Sequence, residues 1–224
     1  DETVPAAGKE YPRTSFMSYE NVEQAAGNDF SKSPYYKSLN GKWKFHWVAA
    51  YKDRPTDFYL PGFDDSSWGE IDVPANWELN GYGTAIYTNH PYEFAPRNPR
   101  PPLLPEENPV GSYRKFVEIP ADWEGKEVFL HIGGAKSGCY VYVNGQKVGY
   151  NEDSKTPAEY NITPCLAPGR NLIALEIYRW STGSYLECQD FWRISGIERD
   201  VYLFAQTPVR VRDFPVRQDL DSAY

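Results

Sequence analysis

Asp190, set between Gln189 and the Phe191-Trp192 pair, is the residue of this chain best suited to ligand chemistry. It lies in RWSTGSYLECQDFWRISGIERD, residues 179–200, which gathers two Trp, a Tyr, a Phe, three Arg and the further acids Glu187, Glu198 and Asp200. The segment joins two strand-like runs, so it is a connection, and connections usually manage with small polar residues. One this rich in rings and carboxylates is either covered by another part of the molecule or built to receive a ligand. A carboxylate there can accept two hydroxyl hydrogen bonds or offer a hard oxygen to a cation. The competing reading pairs Asp190 with Arg193 or makes it a turn cap. Trp180, Tyr185 and Trp192 read as packing that holds the loop. Glu152 and Asp153, in YNEDSKTP, read as a solvated turn, and Asn89, in IYTN, reads by itself as a turn residue. His46, His90 and His131 are scattered. Cys139, Cys165 and Cys188 cannot all pair and match no zinc spacing, so they read as free thiols.

The elements that must position these groups are strands. Residues 43–48 alternate in an aromatic-rich strand, 71–73 form a short one that Pro74 keeps off the sheet centre, and 112–119 and 127–132 alternate again. Residues 140–150 predict a β-hairpin, because Asn144-Gly145 suits the two positive-φ positions of a type I′ turn. Residues 171–180 and 200–204 complete the unit, and Thr207-Pro208 breaks the chain. Between these strands NPRPPLLPEENP, residues 98–109, forbids helix and discourages sheet, which marks a long loop that is functional or covered by a neighbour. At least eight strands with tight turns predict an all-β, two-sheet sandwich of the jelly-roll kind. Three segments follow: an irregular N-terminal arm over 1–38, the sandwich over 39–208, and over 209–224 a new strand pattern, VRVRDFPVRQDL, that starts a further domain.

Composition narrows the partners. Aromatics make up 16% of the 224 residues, and rings are the usual platform for the apolar faces of sugars. A formal net charge of −8 argues against nucleic acid, which needs clustered Lys and Arg. No apolar run is long enough to cross a bilayer, and nothing at the N-terminus resembles a signal peptide. Free cysteines favour the cytoplasm; a periplasmic protein whose leader was trimmed is the alternative, and the compartment stays open.

Five blocks, taken in order, carry a family resemblance: LNGKWKF (39–45), VPANWELNGYGTAIYTN (73–89), PEENPVGSYRKF (105–116), VNGQKVGYNEDSKTPAEYNIT (143–163) and RWSTGSYLECQDFWRISGIERDVYL (179–203). The chain resembles the N-terminal domain of the large bacterial β-galactosidases of glycoside hydrolase family 2. The resemblance implies a galactose-binding-domain-like jelly roll, then an immunoglobulin-like sandwich, then a TIM barrel that hydrolyses terminal non-reducing β-D-galactose by a retaining mechanism. It implies that Asn89 and Asp190 reach the galactose, with Asp190 also one ligand of a sodium ion. The catalytic carboxylates and the magnesium ligands of the family would lie on the barrel, so this segment alone should be inactive and bind galactose poorly. The implied partners are a β-galactoside, the downstream domains and, in the full-length protein, further copies of itself. The alternatives are a free-standing carbohydrate-binding module, disfavoured for want of a self-contained pocket, the same domain of a β-glucuronidase or β-mannosidase, and a scaffolding sandwich.

Overall fold

The computed structural model describes residues 3–89, 92–95, 97–187 and 189–221. Among them the strands form two main antiparallel sheets. The larger runs in the order Ala6–Ala7, Gln146–Asn151, Gly138–Val143, Arg170–Tyr178, Val110–Glu118, Gly41–Val48 and Gly69–Val73. The smaller runs Ala158–Asn161, Glu127–Ile132, Val201–Gln206 and Tyr36–Ser38. Alternation explains how they meet. Trp43, Phe45, Tyr113, Val141, Ile173 and Leu175 project from one sheet, Leu130, Ile132, Tyr160, Val201 and Leu203 from the other, and all belong to one buried cluster. Burying each such side chain contributes about 1.5–3 kcal/mol, so the sandwich of the jelly-roll class is held from its middle.

Both sheets are covered on their outer faces too. Phe58 and Trp68, from the turn-rich stretch after Val48, pack on Leu172 and Ala174 across the larger sheet. That is why Arg170–Tyr178 is buried almost without alternation: only its first and last residues escape burial. Arg114, 2% exposed, stands on this face and is matched there by Asp65 at 2.6 Å and by the carbonyls of Phe58 and Leu60. Met17, Tyr19 and Phe30 cover Phe129, Tyr202 and Phe204 of the smaller sheet in the same way. The N-terminal stretch, expected to be irregular, therefore has partners: Ala6–Ala7 extends one sheet, Tyr36–Ser38 the other, and Val22–Ala26 is one helical turn capped by Asn21.

The hairpin forms as its turn residues predict. Val143 pairs Gln146, and Asn144 and Gly145 take φ of 50° and 85°. Gly69–Val73 is an edge strand that stops at Pro74. Residues 209–221 form no strand and lie largely exposed, tied by Arg210 to Glu127 and by Asp213 to the Thr14 amide at 2.9 Å. No helix among the described residues is long and apolar enough to cross a membrane.

Candidate functional site

Ile86–Thr88 and Phe191–Arg193 pair as a two-stranded antiparallel ribbon set apart from both main sheets. Its register brings the two residues singled out from the sequence together. Beyond the last pair, Thr88 with Phe191, the chain reaches Asn89 on one strand and Asp190 on the other. The Asp190 amide donates to the Asn89 carbonyl oxygen at 3.1 Å. Asp190 has φ +41°, the left-handed region that Asp tolerates better than most residues. Both side chains are exposed, outside the sandwich and at one end of one ribbon. Neither competing reading of Asp190 describes its side chain, which accepts a 2.6 Å hydrogen bond from the Tyr87 hydroxyl at Oδ1. That bond, followed by the carboxylate's charge, raises the Tyr87 phenol pKa. Among the described residues Oδ2 is left for other donors.

Arg193 instead anchors the ribbon from below. Its side chain is 1% exposed, and it meets the equally sequestered Glu93 at 3.2 Å. Glu93 also accepts from the Trp180 indole at 2.8 Å. Arg179 runs parallel, 3.4 Å from Glu78 and donating to the carbonyls of Thr84 and Arg193 at 2.9 and 3.1 Å. Burial lowers the Arg179 pKa, and Glu78 and Glu93 oppose that shift. Glu78 closes the frame by accepting from the Ser195 amide at 2.8 Å. Two desolvated ion pairs thus lock the ribbon's root, and charges so buried persist only when matched. Trp180 and Tyr185 are packing residues, in contact with Phe94 at 5.5 and 5.2 Å. Trp192, expected to pack as well, is 54% exposed, as is Tyr87 beside it; their ring centroids are 5.8 Å apart. An isolated ribbon has only one face to bury, and register puts these two on the other.

Glu152 also departs from the sequence reading. It is 4% exposed, not solvated, and accepts from the Tyr150 hydroxyl and Gly183 amide, each at 2.7 Å, and from the Thr182 hydroxyl. Asp153 does face solvent. The sequence reading also missed Tyr87, Glu78 and Glu93 as supports. The one available signal was the spacing of Tyr87 two residues before Asn89, which has no meaning until the ribbon's register is known. Cys139 is a buried free thiol and Cys165 a half-buried one, whereas Cys188 and His90 lie outside the described residues. Among the described residues no three His, Cys, Asp or Glu side chains stand together as a metal site.

The fold is a β-sandwich domain with a rigidly rooted ribbon whose tip bears a carboxylate, an amide and two open rings. Solved structures share the architecture. A Bacteroides uniformis β-glucuronidase matches 77% of this chain with 18% of its own, at 27% identity and a TM-score of 0.58. A β-glucuronidase from an uncultured Clostridium sp. matches 84% of the chain with 31% of its own, at 20% identity and TM-score 0.63, a likeness of fold. The model of the glycosyl hydrolases family 2 sugar binding domain matches residues 36–208, and the chain belongs to that family. Relatives include a β-galactosidase of Priestia megaterium, 45% identical over 93% of this chain, and one of Halalkalibacterium halodurans, 43% identical over 99%. The chain spans 20% and 22% of the length of these two.

Proposed function

We propose that this chain is the N-terminal, non-catalytic domain of a β-galactosidase, and that it lends Asn89 and Asp190 to an active site formed by a downstream TIM barrel. The whole protein would hydrolyse terminal non-reducing β-D-galactose with retention. The reading is carried by the meeting of Asn89 and Asp190 at one exposed tip, together with identity above 40% to β-galactosidases across almost the whole chain. A retaining glycosidase needs two carboxylates about 5–5.5 Å apart around the scissile bond. The tip has a single acid, so its share is recognition: Asn89 supplies a donor and an acceptor to sugar hydroxyls, and Asp190 accepts at Oδ2. Asp190 would also be one ligand of a sodium ion, whose remaining oxygens come from elsewhere. A bound cation there would neutralise the carboxylate and fix its orientation. Magnesium would belong to the downstream part, and residues 209–224 would begin the intervening immunoglobulin-like domain.

The test is galactoside hydrolysis by the whole protein. Asp190→Ala and Asn89→Ala should each lower kcat/KM by about tenfold to a hundredfold, the loss of one or two hydrogen bonds to sugar, of which a charged one is worth about 1.5–3 kcal/mol. Unchanged hydrolysis by both variants removes the role. The second reading, the same domain of a β-glucuronidase, has the solved structures in its favour, and an aryl-glycoside panel on the whole protein separates the two.

A further inference from the structure

The larger sheet carries a second concavity, remote in character from the ribbon tip. On the outer face, beside the area covered by Phe58 and Trp68, Tyr140, Tyr150 and Tyr178 stand on three adjacent strands. With Tyr51 and Trp180 they wall a cavity of about 470 Å³, closed on one side by the Pro-rich loop at Leu104–Asn108. The expectation of a sandwich without its own pocket does not hold, because strand pairing collects rings that are far apart in the chain. The volume suits a small ligand, which pockets of roughly 300–1,000 Å³ accept.

The walls are built, and their polar groups are fixed. Glu176 accepts from the Tyr178 hydroxyl at 2.6 Å and from Arg54 Nε at 2.8 Å. Glu152 orients Tyr150 and holds the Thr182–Gly183 turn. Asn108 clasps the Trp180 backbone from both its amide atoms, at 2.8 and 3.0 Å, which pins the loop to the wall. Arg54, the cation among the lining residues, is therefore engaged inside the protein. Arg54 is committed to Glu176 and to the Tyr51 carbonyl, and Lys147 lies over the Tyr140 ring, 4.4 Å from its centroid, outside the lining. The remaining charge at the rim, Glu106, would repel an anion. Rigid rings interleaved with hydroxyls, with no spare cation among the described lining residues, match a ligand that is ring-shaped, hydroxyl-rich and uncharged.

We propose that this pocket is a second carbohydrate site, which binds a neutral mono- or disaccharide independently of the Asn89–Asp190 tip. It does not rest on the hydrolytic reading. The whole protein is treated with a photoactivatable thiolactose probe, whose S-glycosidic bond resists hydrolysis, and the labelled peptides are mapped by mass spectrometry. Labelling is expected within 138–150 and 178–182, competed by thiolactose and not by glucuronate, and unchanged in Asp190→Ala. Tyr51→Ala, which trims an exposed rim residue, should weaken competition at least fivefold with unaltered thermal unfolding, and Tyr140→Ala should abolish the labelling. Galactoside hydrolysis should be unaffected by either. Labelling that avoids both segments, equal competition by glucuronate, or loss of labelling in Asp190→Ala would each overturn the second site.

Discussion

The Asp190 amide donates to the Asn89 carbonyl oxygen across the end of a ribbon whose two strands lie far apart in the chain. The same carboxylate receives the Tyr87 hydroxyl, one strand position in from Thr88. The tip is thus a closed unit of three residues, in which Tyr87 sets which oxygen of Asp190 remains open. Tyr87→Phe should leave folding unchanged, since Tyr87 is half exposed, and, on the proposed function, lower kcat/KM for galactosides several-fold in the whole protein. On the sodium role proposed for Asp190, titration of activity with sodium is the informative readout: a loosened Asp190 would require more of the ion, whereas a merely structural change would leave the titration where it was.

The ribbon's root makes a stability prediction. Arg179→Ala leaves Glu78 buried without the guanidinium beside it, and Arg193→Ala takes from the buried Glu93 one of the cations near it. Each should destabilise by about 3–5 kcal/mol, the range for stripping one partner from a buried pair. Urea unfolding followed by Trp fluorescence checks this, and a loss below 1 kcal/mol would mean that the ribbon root is hydrated.

Gly111 supplies a test of close packing. A Cβ there would stand 2.5 Å from Trp77 Cζ2 and 2.8 Å from Phe45 Cε2, two large rings with no room to retreat. Gly111→Ala should therefore cost about 1–3 kcal/mol by overpacking, against the usual gain of alanine over glycine in a strand. A variant as stable as the parent would contradict the tight core.

Acid sensitivity should trace partly to Glu159. Burial raises its pKa, but His131 at 3.0 Å and Arg13 at 2.8 Å outweigh that and hold it below the ordinary carboxylate range. With the folded pKa below the unfolded one, its stabilisation is complete above the unfolded carboxylate value, about pH 4.3. It is lost as pH falls through the lower folded value. Glu159→Gln should flatten the acid limb of the stability–pH curve below that point; an unchanged limb would assign the acid loss to other groups.

The thiols should react unequally. Burial, and secondarily Glu176, pushes the Cys139 pKa up to about 12, while Cys165 is half exposed. At pH 8 a maleimide should modify Cys165 in minutes and spare Cys139 until the protein unfolds. Peptide mapping distinguishes them, and early modification of Cys139 would imply local opening of its strand.

The sequence by itself determined the sandwich. Alternation marked Glu127–Ile132 to the residue, Asn144-Gly145 specified its hairpin through two positive φ values, and the proline run ruled out regular structure over 98–109. These are local consequences of side-chain period and backbone sterics, so the chain states them wherever it is read. What lay beyond it were features made by non-local pairing. Trp192 faces outward and Glu152 inward only because register and the Pro5 and Gly183 contacts say so. Tyr87, a ring in a short apolar run, becomes a partner of Asp190 only after two three-residue strands align. Such strands carry too little local preference to announce themselves. The tip, its buried ionic root and the tyrosine-walled pocket were therefore decided by the tertiary structure, where hydrogen-bond partners and burial are shared between segments that no sequence window contains.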